Sequence, residues 1–336
     1  ASVKRAAAPV HGTLSLFSAP IMAVMTLMAA IAAFPAFSQS AAGPEPAAAP
    51  GAAPAALPGS FTTFTLDTEP MDGYTLWLPP GWKAGESWPL ILSLHSAAEV
   101  GGAIEMANTA AAAGAITDGG QACAKAVGDR FIVLAPHLTQ ADYPRAQWYI
   151  YPAVIAAILR DVIGTWGADP RRIYVIGYST GGTGTWGLLS RMPEVFAAAV
   201  PICGYTQPVK GLEPIVADFA SCADTPIWAI YNVWDQNIPI QHIKTAVEKI
   251  EAAGPPPFLR LRHRMTAEGG GADRMIIAET SDTLVGVPRI YSTYQVYFHD
   301  HAGSFYHPQI YDWMLSHTNP RNADTILETL SERASR

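Results

Sequence analysis

The stretch from Arg172 to Arg191 limits what this chain can fold into more than any other. Arg172-Ile173-Tyr174-Val175-Ile176 is β-branched and aromatic and reads as a short buried strand. It runs into Gly177-Tyr178-Ser179-Thr180-Gly181, and a helix-like stretch, Gly182 to Arg191, follows at once. Gly-x-Ser-x-Gly alone is a weak signal, because glycine-flanked serines are common in turns. A strand before it and a helix after it make it specific. Small neighbours let strand and helix approach, so the serine can be held on a strained turn with its hydroxyl above the sheet edge. The amide of Thr180, at the helix start, then faces charge developing on a bound group. Ser179 is accordingly the candidate nucleophile and Thr180 a candidate oxyanion donor.

The rest of the chain alternates strand and helix signals around this point. Phe61 to Leu66 and Tyr74 to Leu78, separated by Asp72-Gly73, read as an antiparallel hairpin. Pro89 to His95, Phe131 to Ala135, Ala197 to Ile202 and Pro226 to Tyr231 read as buried strands. Phe258 to Arg264 and Ile290 to Phe298 are further strand candidates, with Ile290 to Phe298 the last strand of the chain. Helical stretches run over Tyr151 to Gly167, Ile240 to Ala253, Ile310 to His317 and Ala323 to Ala334. Asp169-Pro170-Arg171 is the turn into the elbow strand, and the Gly-rich stretch Ala267 to Val287 is an insertion or lid. This order predicts an α/β fold: a mainly parallel central sheet flanked by helices, with an N-terminal antiparallel hairpin.

Of the 336 residues, 49% are hydrophobic and 15% charged, enough to bury a large core. The net charge of −7 comes without a basic tract, which argues against a nucleic-acid partner. Lys4 and Arg5 precede an apolar region whose uncharged part, Ile21 to Phe34, is followed by the small residues of Ala36-Phe37-Ser38. Residues 1–38 therefore read as a signal peptide and the protein as secreted or periplasmic. Pro20 and Pro35 leave the apolar core short of the roughly 20 residues a membrane span needs, so no stable anchor is expected after cleavage. Residues 39–59, almost only Ala, Pro and Gly, read as a disordered linker, and residues 60–336 as one catalytic domain. Of the three cysteines, Cys123, Cys203 and Cys222, the last two could pair in an oxidising compartment. Three buried free thiols are the alternative.

A serine nucleophile needs a base, and the base needs an acid that fixes its tautomer. The order Ser179, Asp235, then a histidine near 300, each after a strand, satisfies that need. Several stretches together resemble a known family. They are Trp88-Pro89-Leu90-Ile91-Leu92, Asp169-Pro170-Arg171-Arg172-Ile173-Tyr174, Gly177 through Trp186, Phe196 through Gly204, Pro226-Ile227-Trp228-Ala229 and Tyr311-Asp312-Trp313-Met314-Leu315. The family is that of secreted α/β-hydrolases including polyhydroxybutyrate-depolymerase-like and feruloyl-esterase-like enzymes, often labelled peptidases. The resemblance covers about Tyr74 to His317 and implies an α/β-hydrolase fold with Ser179 as nucleophile and Asp235 as triad acid.

Two motifs depart from the family pattern. Its usual His-Gly-Ala-Gly-Glu is His95-Ser96-Ala97-Ala98-Glu99 here. The resemblance makes the Ala97 amide the second oxyanion donor. Loss of glycine at Ser96 and Ala98 either distorts that turn or adds the Ser96 hydroxyl as a donor. The family's Gly-His-Asp-Ser-Trp stretch is His299-Asp300-His301-Ala302-Gly303-Ser304-Phe305 here. His301, which keeps the serine-aromatic follow-on, is taken as the base, with His299 as the alternative. Ser96, Tyr178 and Trp234 are expected to line the substrate pocket, and His95 to orient the oxyanion loop. A His299-x-His301 metal pair lacks a third ligand nearby, so neither metal nor cofactor is expected. The sequence thus reads as a serine esterase acting on small-molecule or polymeric esters, such as hydroxyalkanoate oligomers or the feruloyl or acetyl esters of polysaccharide. A peptidase on the same triad and an idle binding protein on the same scaffold are the alternatives.

Overall fold

The computed structural model describes residues 56–139, 147–207, 213–265, 275–276, 284–294, 299 and 307–336. The expected leader and most of the expected linker lie outside the described residues.

Strands β1 (Phe61–Thr65) and β2 (Gly73–Trp77) form the hairpin expected from their alternation, in the register Phe61 opposite Trp77. Next come β3 (Trp88–Leu94), β4 (Ile132–His137), β5 (Ala168–Tyr178), β6 (Ala198–Ile202) and β7 (Ile227–Asn232). The last three are β8 (Leu259–Met265), the two-residue β9 (Met275–Ile276) and β10 (Arg289–Tyr294). Among the described residues the sheet runs β1-β2-β4-β3-β5-β6-β7-β10-β8-β9. It is antiparallel from β1 to β4, parallel from β4 through β8, and antiparallel again at β9. The mainly parallel sheet with an antiparallel N-terminal end is therefore as the sequence predicts.

Among the described residues seven helices flank it: α1 (Ala111–Thr117), α2 (Gly120–Gly128), α3 (Pro152–Trp166), α4 (Thr180–Arg191), α5 (Gln241–Ala253), α6 (Pro308–Leu315) and α7 (Ala323–Ala334). Strand side chains alternate between two cores. Leu90, Leu92, Ile173, Val175, Ile227 and Ala229 face one layer, which α3, α4, α5 and α7 complete. Ile91, Tyr174, Ile176, Trp228 and Ile230 face the other, completed by α1, α2 and α6. Parallel strands buried on both faces read as continuous apolar runs, which is why they were legible from composition alone.

Two details differ from expectation. Asp169-Pro170-Arg171 does not precede the elbow strand but lies inside β5. Pairing with β3 jumps there from Trp88–Ala168 to Leu90–Ile173, so the turn survives as a bulge. Asp169 holds it by accepting the Arg171 amide at 2.9 Å and Arg172 Nε at 2.7 Å. Second, Cys203 and Cys222 are not joined: all three cysteines are free and buried. Cys203 packs in one core layer and Cys222 in the other, so the sheet separates them. Among the described residues β10 is the last strand in chain order, as expected. It inserts between β7 and β8, and Arg289 and Ser292 are buried there. Residues 295–298 of that expected strand, and most of the expected insertion Ala267 to Val287, lie outside the described residues. Arg289 is itself buried, its guanidinium donating to the carbonyls of Gly254, Pro256 and Ala223.

The close approach of α4 to the strand ends is the tightest packing in the fold. A Cβ on Gly181 would collide with the backbone carbonyl of Leu94, and one on Gly177 with the Gly181 backbone. Gly181→Ala is expected to cost at least about 2 kcal/mol, because backbone cannot step aside as a side-chain tip can. Gly164→Ala, in α3 with open space around it, is expected to be neutral or to stabilise by up to about 1 kcal/mol. Urea denaturation of the two variants checks both.

Candidate active site

The C-terminal ends of the parallel strands sit level with one another: Leu94 pairs with Gly177, Tyr178 with Ile202, and Asn232 with Tyr294. Ser179 follows β5 with φ 55° and ψ −116°, a conformation that costs an L-residue about 1–3 kcal/mol. Two bonds hold it there. Its amide donates to Ile202 at 2.9 Å, and its carbonyl accepts from Thr183 at 2.9 Å, which starts α4. The strained turn expected from Gly-x-Ser-x-Gly is thus present, with Ser179 between strand and helix.

Ser179 Oγ lies 2.8 Å from Nε2 of His299, and Nδ1 of His299 lies 2.7 Å from Oδ2 of Asp235. A carboxylate only accepts, so Nδ1 carries the proton and Nε2 presents its lone pair to the serine hydroxyl. Asp235, in the loop after β7, is buried. Its Oδ1 accepts the amides of Asn237 and Ile238, both at 2.8 Å, which fixes the carboxylate toward the ring.

The ring at this position is therefore that of His299 and not of His301, the residue expected. His301 lies outside the described residues. With Nδ1 and Nε2 both engaged, His299 has no nitrogen left for the metal pair weighed from its spacing. The cue that pointed to His299 was the residue after it. Among the histidines of this sequence only His299 is followed by aspartate, as in the family's Gly-His-Asp-Ser-Trp pattern.

Tyr178 does something the sequence reading missed. It was expected in the pocket wall, but it is buried, its ring stacks on His299 with centroids 5.1 Å apart, and its hydroxyl donates to the His299 carbonyl at 3.0 Å. The residue before the serine thus steadies the histidine from 121 positions away. Trp234 is 41% exposed beside Asp235, available as wall rather than core. Trp148 and Trp186 are fully buried.

The segment after β3 is built around His95. Its Nδ1 donates to the Ser96 carbonyl at 2.7 Å, and its Nε2 accepts the Leu138 amide at 3.0 Å. Trp148 packs edge-on against it and donates to its carbonyl at 3.1 Å. These contacts fix the start of the loop, the orienting role expected of His95. Ser96 and Ala98 keep ordinary negative φ angles, so the loop does not need the glycines of the family pattern; the left-handed turn falls at Gly101. The Ser96 hydroxyl donates to Glu99 rather than outward, so it is no additional oxyanion donor. The amides of Ala97 and Thr180 have no acceptor among the described residues.

Burial holds the His95 imidazole down to about pH 3, the Ser96 carbonyl opposing and neighbouring His137 reinforcing that shift. His95 therefore stays neutral in the fold while the unfolded chain takes up a proton below about pH 6.5. The unfolded state binds more protons in that window, so stability falls as pH falls, by at most about 1.4 kcal/mol per pH unit for one such group. A falling urea midpoint between pH 6.5 and 5, with a shallower slope in His95→Gln, is the expected outcome. A flat profile would show that the site accepts the charge.

No protein-family model and no curated protein matches this sequence. Solved structures match in three dimensions. A thermostable esterase superposes with a TM-score of 0.55 at 21% identity, over 77% of this chain and 63% of its own. Porphyromonas gingivalis dipeptidyl peptidase 4 superposes with a TM-score of 0.50 at 11% identity, over 77% of this chain and 35% of its own. A ferulic acid esterase of the anaerobic fungus Anaeromyces mucronatus gives a looser likeness, TM-score 0.49 at 10% identity, over 79% and 95%. The chain thus spans about 63% of the esterase's length and 35% of the peptidase's. At such identities the likeness is one of architecture. The chain has an α/β-hydrolase fold, distantly similar to those of esterases and dipeptidyl peptidases.

Proposed function

We propose that this protein is a serine hydrolase of carboxylic esters, with Ser179 as nucleophile, His299 as general base and Asp235 as the acid that orients it. The observation that carries the reading is the unbroken series Ser179 Oγ, His299, Asp235 at 2.8 and 2.7 Å, on a residue held at φ 55°. Strain of that kind persists where the surrounding structure imposes it, here to present one hydroxyl.

In this reading Ser179 Oγ attacks the ester carbonyl as its proton passes to Nε2 of His299. Nδ1–H keeps its bond to Asp235, which stabilises the imidazolium that forms. The carbonyl oxygen becomes an oxyanion that accepts from the amides of Thr180 and Ala97, the first at the positive end of α4. His299 returns the proton to the departing alkoxide. Water, activated by the same ring, then cleaves the acyl-enzyme. An alkoxide leaves more readily than an amide nitrogen, which is why esters come before peptides in the proposal. Hydroxyalkanoate oligomers and the feruloyl or acetyl esters of polysaccharide are the substrate classes to try first. Export, read from residues 1–38, belongs to the same proposal.

The test is labelling by a fluorophosphonate probe beside turnover of p-nitrophenyl acetate. The wild type is expected to label, and Ser179→Ala to lose both label and turnover, by about 10⁴-fold or more. His299→Ala is expected to fall as far, and His301→Ala to stay within a few-fold of wild type. The reverse ranking of the two histidines would return the base to His301, and a folded wild type that neither labels nor turns over would favour an idle binding scaffold. Tyr178→Phe removes one hydrogen bond while leaving the stacked ring. It is expected to lower kcat about 3- to 10-fold with little change in KM, a loss of roughly 1 kcal/mol.

A further inference from the structure

We propose that Ser96 and Glu99 are positioning residues that shape the oxyanion hole, replacing by side-chain bonds what glycine would otherwise supply; this rests on the hydrolase reading above. The three amides at 96, 97 and 98 have different fates. The Ser96 amide donates to Glu99 Oε2 at 2.9 Å. The Ala98 amide donates to Ser96 Oγ at 3.2 Å. Ser96 Oγ–H in turn donates to the same Glu99 oxygen at 2.7 Å. The hydroxyl accepts from one side and donates to the other, so the outer two amides close onto the loop itself. The Ala97 amide between them has no acceptor among the described residues.

The clamp is itself anchored. The Ser96 carbonyl accepts from His95, the Glu99 carbonyl accepts from His137 Nε2 at 3.1 Å, and His137 Nδ1 meets Asp72 at 2.8 Å. Gly101, just beyond, donates to Leu138 at 3.0 Å. Ser96 is 6% exposed and His137 is fully buried, so the clamp is anchored on its inner side, while Glu99 is half-buried and Ala98 exposed. A charged acceptor strengthens two of the clamp's bonds. The arrangement leaves one amide of the three without an acceptor among the described residues, and an oxyanion hole requires such a donor, fixed so that it does not reorganise when charge appears.

The consequence is selective for the transition state. Ser96→Ala frees the Ala98 amide and removes the bridge to Glu99, and Glu99→Ala releases both Ser96 donors. Each is expected to lower kcat on p-nitrophenyl acetate by about 10- to 100-fold, less than outright loss of a donor, with KM within about threefold. The inhibition constant of a phenylboronic acid, whose adduct carries an oxygen at the oxyanion position, is expected to rise in parallel with the fall in kcat. Glu99→Gln keeps an acceptor oxygen and is expected to recover most of the rate, whereas Glu99→Met, similar in volume but without that acceptor, is expected to fall as far as Glu99→Ala; a simple packing role for the side chain would let Glu99→Met recover as well. If Glu99→Ala fails to fold, Ser96→Ala decides the question. An active wild type beside Ser96→Ala and Glu99→Ala variants that keep kcat and boronate affinity within twofold overturns the clamp alone. A wild type that neither turns over nor takes up a fluorophosphonate overturns the hydrolase reading and the clamp with it.

Discussion

The contact on which the structure depends most is backbone against backbone, where α4 leaves the sheet. Gly177 and Gly181 have no side chains because the Gly181 main chain occupies the space at Gly177, and the Leu94 and His95 carbonyls the space at Gly181. That approach forces Ser179 into a left-handed conformation, and its two bonds, to Ile202 and from Thr183, keep it there. The strain is small beside the burial of two core layers, and large enough that an isolated peptide would relax. The fold supplies what the turn cannot hold by itself.

The parallel sheet makes that concentration of geometry possible. Strands β3, β5, β6, β7 and β10 run the same way, so the loops that leave them open on one edge. The 95–102 loop follows β3, Ser179 follows β5, Asp235 follows β7 and His299 lies beyond β10. Ser179, Asp235 and His299 are far apart in the chain, and the distances between them are those of hydrogen bonds.

Residues other than Ser179, His299 and Asp235 do much of the holding. Tyr178 stacks on the imidazole, Asn237 and Ile238 aim the carboxylate with their amides, and His95 ties the loop after β3 to Leu138 and Trp148. None of these carries a spacing signature. Each is a residue that could equally have been core, and its role comes from what lies across the gap.

Much of the architecture was legible in the sequence because its signals are local. The apolar runs of the parallel strands, the Phe61–Trp77 hairpin, the Gly254-Pro255-Pro256 stop after α5 and the strand-turn-helix around Ser179 all follow from propensities within a few residues. Asp235 followed from its place after a strand. What the sequence could not decide is which of two histidines, two residues apart, turns toward the serine. Both fit the order and the loop, the aspartate after His299 and the serine-aromatic pair after His301 point opposite ways, and the contact that holds His299 comes from a tyrosine 121 positions earlier. The Cys203–Cys222 pairing was open for a similar reason, since nothing local reveals that a sheet stands between two residues. Ser96 and Ala98 looked like lost glycines until the structure showed negative φ angles and a carboxylate to take up the freed donors. Chain neighbours are set by covalent geometry and can be read along the sequence. Partners across the fold are set by packing, which only the folded chain expresses.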